Sequence, residues 1–95
     1  MEYELTPEYD SRKSFYHKAT VSIVDTKSDD GTSYELYSYG TLVARYATGT
    51  GVVELLDAWC QSPTTLRHVK EFLAQMNPLY TGWTKTDIQR ELVEA

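Results

Sequence analysis

The residues of this sequence that could do chemistry gather around one stretch, Asp57 to His68. Cys60 stands two residues before Ser62, a good helix N-cap, so its thiol would feel the positive end of a helix dipole. With Asp57 and His68 nearby, that would furnish the parts of a Cys-His-Asp nucleophilic site. All three residue types are nonetheless ordinary at a strand-to-helix junction. A general base needs a partner within hydrogen-bond reach on the substrate side, and no second group announces itself beside His68. The expected role of His68 is scaffold: a hydrogen-bonded packing residue that ties helix to sheet. No enzyme is expected.

Metal chemistry is equally thin. His17 and His68 are far apart, and a single cysteine offers no Cys-x-x-Cys pair. The acids Asp25, Asp29 and Asp30 lack the spacing of a calcium loop and read as a hairpin tip. Gly49 to Gly51 leads into a strand rather than a helix, so it is no phosphate loop. Neither metal nor cofactor is expected. The tyrosines carry more weight. Tyr34, Tyr37, Tyr39 and Tyr46 fall on adjacent predicted strands, with Tyr16 close by. Such a platform could stack bases if a basic groove accompanied it. This stretch offers mainly Lys18, Lys27 and Arg45 among several acids, so direct nucleic-acid binding is set aside. Tyrosine among acids reads better as a protein-binding surface.

These residues must be positioned by elements the sequence spells out. Phe15 to Asp25 alternates, with Phe15, Ala19, Val21 and Ile23 on one parity: a half-buried strand. Asp30-Gly31 signals a hairpin, and Ser33 to Tyr39 is the returning strand, broken by Gly40. Leu42 to Ala47 reads as a third strand with Leu42, Ala44 and Tyr46 on one face; Val52 to Leu56 is a fourth. Short connections force antiparallel neighbours, hence a four-stranded meander. Ser62 then caps a helix that has Pro63 at its first position. Leu66, Val69, Phe72, Leu73 and Met76 form its apolar stripe. His68 lies at the stripe's border, and Arg67 and Glu71 on the solvent face. Asn77-Pro78 ends the helix. Thr84 and Asp87 form a capping-box variant for a short C-terminal helix, with Trp83 and Ile88 as its hydrophobic staple. The connection from Asn77 to Trp83 is too long for a DNA-reading helix-turn-helix. The expected fold is α+β: the meander, one long helix on a face, with Trp59 nearby, and the short helix at an edge.

Ninety-five residues make one domain, read here as residues 15–95 preceded by a polar, acidic arm over residues 1–14. No run of residues could span a membrane, and the N-terminus does not read as a signal peptide. A lone cysteine fits a reducing compartment, most simply a bacterial cytoplasm. The net charge of −5 deprives the chain of the usual driving force for phosphate backbones. The acids cluster at Glu2, Glu4, Glu8 and Asp10, and again at Asp29 and Asp30.

The succession Ser14-Phe15-Tyr16, then Leu36 to Ala44, then Trp59, then Thr64, Thr65 and His68 resembles a family of small uncharacterised proteins. These occur in phages and other mobile elements of Gram-positive bacteria. The resemblance covers roughly residues 14–76. It implies an origin in a mobile element and carries no reaction. Taken with the charge, it leads to the expectation of a non-enzymatic accessory protein that binds and inhibits a host nucleic-acid-handling protein. In its sharpest form this is an anti-CRISPR protein blocking the DNA channel of an effector nuclease. The expected contact residues are Glu2, Glu4, Glu8, Asp10, Asp29, Asp30, Tyr34, Tyr37 and Tyr39. The alternative is a self-associating structural or regulatory module of the element itself, a homodimer in its simplest form, built on exposed aromatics and a sheet edge.

Overall fold

The computed structural model describes residues 1–25 and 31–94. Five strands form one antiparallel sheet in sequence order: β1 (Glu2–Glu4), β2 (Ala19–Asp25), β3 (Thr32–Ser38), β4 (Thr41–Ala47) and β5 (Val53–Leu55). Helix α1 (Pro63–Met76) lies across β3 and β4. A 3₁₀ turn (Pro78–Tyr80) leads to α2 (Lys85–Ile88), which widens into a π turn (Gln89–Val93) packed beside β5.

The additional strand is β1, and it corrects the expected meander of four. Residues 1–14 are no separate arm. Tyr3 pairs with Val21 and packs on the core, and Leu5 is fully buried. A strand of three residues with one inward side chain is too brief for its alternation to stand out. The expected strand from Phe15 starts instead at Ala19. Phe15 to Lys18 is a tight turn closed by the Lys18 N–H on the Phe15 carbonyl, with Tyr16 and His17 at positive φ. The expected Asp30-Gly31 hairpin tip falls partly outside the described residues; β2 and β3 on either side of it pair antiparallel.

One face of the sheet holds the core. Val21, Leu36 and Ala44 align across β2, β3 and β4, with Val69, Phe72 and Leu73 of α1 above them. Leu66 and Met76 flank these, half-buried, and Trp59 is buried ahead of the helix. A bulge breaks the parity expected of β4. Tyr37 pairs with Leu42 and Leu36 with Ala44, so Val43 has no opposite number. Val43 is fully buried like Ala44, while Leu42 sits opposite Tyr37 and away from the core face. Tyr39 and Gly40 join β3 to β4, both at positive φ, as a two-residue type I′ turn requires.

Capping follows the sequence signals. Ser62 Oγ accepts the Thr65 N–H at 3.1 Å, and the Thr84–Asp87 capping box is present in both directions. The expected eleven-residue C-terminal helix is a single α turn continued by a π turn. Glu91, acidic in an unfavourable place for a helix C-terminus, is held by Arg90 at 3.0 Å.

Candidate functional site

β-Strand alternation sorts the sheet into a covered face and an open one. Glu2, Ser22, Glu35, Arg45 and Glu54 align in one register across the five strands, on the side away from α1. A second row, Glu4, Thr20, Tyr37 and Leu42, runs beside it. Four carboxylates thus share this face with one guanidinium. Arg45 is clamped between Glu35 and Glu54, each at 2.9 Å, and these two hydrogen bonds raise its already high pKa. Glu4 binds the His17 ring at 2.9 Å. Both edge strands are only three residues long, so there is little edge for another strand to extend.

The expected contact residues do not form one surface. Glu2 and Glu4 lie on the open face. Glu8 and Asp10 lie on the other side, against α1. Asp29 and Asp30 are outside the described residues. The three tyrosines separate as well. Tyr37 belongs to the open face. Tyr34 pairs with Ile23 and Tyr46 on the covered face and packs on the core with Tyr3. Tyr39, in the β3–β4 turn, stands beside His68 with ring centroids 5.8 Å apart. Burial, and secondarily the neighbouring Tyr34, raises the Tyr3 phenol pKa. Glu35 and Glu54 were missed in the sequence, although the strict alternation of β3 would have placed Glu35 opposite to Leu36.

Glu71 is a second correction. It is 2% exposed rather than solvent-facing, because the N-terminal segment crosses that side of α1. Its carboxylate accepts the successive backbone N–H groups of Glu8 (3.0 Å), Tyr9 (3.0 Å) and Asp10 (2.8 Å). Gln75 Nε2 adds a fourth donor at 2.6 Å and itself reaches the Thr6 carbonyl. Arg67 Nη1 binds Asp10 at 3.0 Å. A folded-in acidic segment is therefore anchored by the helix it covers.

His68 is fully buried. Its Nδ1 lies 2.8 Å from Ser38 Oγ, which is 3.1 Å from Thr65 Oγ1. The Ser62 hydroxyl donates to Thr65 Oγ1 at 3.1 Å. This chain of side-chain bonds links the helix N-cap to the end of β3. Phe15 meets the imidazole edge-on, at 4.6 Å between centroids. Burial pushes the His68 pKa down, against a smaller upward pull from Asp10. Cys60 is half-buried at the core's margin, and His68 bonds to Ser38 rather than to Cys60 or Asp57, so no Cys-His-Asp triad is assembled. Among the described residues no cluster of three or more His, Cys, Asp or Glu could hold a metal ion, and no helix is long and apolar enough to cross a membrane.

Comparison with known proteins returns one family, described as a family of unknown function (DUF8033), whose profile matches residues 3–90. No curated protein and no solved structure matches the chain.

Proposed function

We propose, for a chain that belongs to this family of unknown function, a non-enzymatic binding protein that docks its open sheet face on a basic protein surface. The observation that carries the reading is the aligned row Glu2–Ser22–Glu35–Arg45–Glu54, flanked by Glu4. Its one cation is already neutralised by two of its carboxylates. Fixed acids on a twisted, uncovered sheet favour encounter with a positive partner and repel polyanions. Tyr37 and Leu42 supply the half-buried apolar centre such an interface needs. Surfaces that hold nucleic acid are the commonest basic surfaces of this kind. The partner is then a nucleic-acid-handling protein, and the binding inhibitory. An anti-CRISPR protein of a mobile element, lodged in the DNA channel of an effector nuclease, is the sharpest form of the reading. The acids that matter are those of the sheet face, Glu2, Glu4, Glu35 and Glu54, and no longer the whole N-terminal cluster.

The test is charge reversal at the two ends of the row, Glu2→Lys with Glu54→Lys. Both residues are exposed, so the fold should survive. Loss of a basic partner that the unaltered protein retains would support the reading. Equal retention by Glu2→Lys/Glu54→Lys would refute it.

A further inference from the structure

Away from the open face, a cavity of about 220 Å³ sits at the start of α1. Arg12, Lys18 and Arg67 line it, together with Ser14 and Thr64. Its aromatic walls are Phe15, Tyr16 and Tyr39, and His68 forms part of its lining. In a chain of net charge −5, no carboxylate among the described residues lines this cavity. Asp10, outside the lining, holds the Arg67 guanidinium and accepts the Arg12 backbone N–H, so it offsets one of the three cations.

The histidine supplies an independent observation. Its Nε2 is buried and has no hydrogen-bond partner among the described residues. Ser62 Oγ accepts the Thr65 N–H, so its proton is free to go to Thr65 Oγ1. Thr65 can then pass its proton on to Ser38, and Ser38 to His68 Nδ1, an order the distances of 3.1 and 2.8 Å permit. In that order the ring keeps its proton on Nε2, and in either order Nε2 is a buried polar atom in want of a partner. Such groups cost stability unless something binds them.

The backbone adds a third. Tyr16 and Tyr39 both take positive φ, +53° and +52°, where a side chain is disfavoured and glycine or asparagine is at ease. Both rings are nevertheless exposed, at 70% and 53%, on the rim of the same cavity. Exposed aromatic residues held in place by such turns can flank a ligand at the mouth of the cavity.

We propose that this cavity binds a phosphate monoester carried on a flat ring, of which a mononucleotide is the simplest example. Guanidinium forks, an ammonium, a hydroxyl pair and the His68 N–H can satisfy three terminal oxygens, more than a carboxylate offers. The start of a fourteen-residue helix adds its dipole. Tyr16 and Tyr39 receive the ring at the mouth. The proposal is independent of the open sheet face, which shares none of these residues.

The experiment is titration of the full ¹⁵N-labelled chain with adenosine 5′-monophosphate, inorganic phosphate and adenosine, following the His68 imidazole nitrogens by long-range ¹⁵N–¹H correlation. Expected is a shift of His68 Nε2 with both phosphates, binding strongest for the monophosphate. Arg12→Gln/Lys18→Gln, which alters only exposed side chains, should bind at least about tenfold more weakly while keeping its spectrum. Adenosine binding as tightly as its monophosphate, an unmoved His68 at about 10 mM ligand, or full affinity in Arg12→Gln/Lys18→Gln would each overturn the assignment.

Discussion

Ser38→Ala isolates the bond network that joins sheet to helix. The Ser38 hydroxyl is fully buried and bridges His68 Nδ1 at 2.8 Å and Thr65 Oγ1 at 3.1 Å. Alanine fits the strand but removes both bonds at once. It strands the imidazole Nδ1 and the threonine hydroxyl where water does not reach. Each orphaned buried group costs about 1–3 kcal/mol, so the two together cost roughly 2–6 kcal/mol. A domain of this size has only about 5–14 kcal/mol to lose, so the midpoint of thermal unfolding should fall by about 10 °C or more. Urea unfolding followed by tryptophan fluorescence reads this as a lower midpoint with unchanged slope. A second variant checks the cause. Ser38→Ala combined with His68→Leu removes both partners, and replacing a polar pair by apolar groups is cheap. That double variant should lose clearly less than the two single losses added together. A loss below about 0.5 kcal/mol in Ser38→Ala, or strict additivity in the double variant, would refute the reasoning.

Three further outcomes follow. His68 has its folded pKa pushed below the ordinary 6.5 by burial, so the unfolded chain takes up a proton before the folded one. The associated stability is fully present above pH 6.5 and is lost as pH falls from there toward the folded pKa; His68→Leu should flatten that part of a stability-against-pH curve, and an unaltered curve would count against it. Glu71→Ala should free the backbone N–H groups of Glu8, Tyr9 and Asp10, costing about 3 kcal/mol and raising amide exchange there before elsewhere; unchanged protection of those amides would contradict the anchoring role. Tyr16→Asn should stabilise the fold by about 0.5–1 kcal/mol by relieving a left-handed backbone, while weakening adenosine monophosphate binding. Weaker stability with intact binding would reverse that assignment.

The long helix was legible because its signals agree: Ser62 as cap, Pro63 at the first position, Asn77-Pro78 at the end, and an apolar stripe between. The antiparallel order was legible because its turns are short. What failed did so at long range or in elements too short or irregular for a pattern to register. Nothing in the local pattern of Glu71 tells that the N-terminal segment will cover it, since its three donors lie about sixty residues away in sequence. The brief β1 carries too few residues for periodicity to register. The bulge at Val43 shifts parity by one residue, a slip that side-chain alternation alone does not locate. The candidate site suffered most. Acids adjacent in sequence, Glu4 and Glu8, part company at Leu5, where the chain leaves the sheet edge for the helix side. Acids distant in sequence, Glu2, Glu35 and Glu54, meet through strand register. The cavity at His68 draws on the N-terminal segment, the β3–β4 turn and the start of α1, three stretches that only the fold brings together.

The central claim is that the open sheet face binds a basic protein. It is tested most directly by paired capture from a bacterial lysate, the unaltered chain against Glu2→Lys/Glu54→Lys, with bound proteins released by a salt gradient and identified by mass spectrometry. The account predicts a basic, nucleic-acid-handling protein that elutes at moderate salt from the unaltered chain and is missing from the charge-reversed one. The same protein held equally by both, or a partner whose release is indifferent to salt, would contradict it.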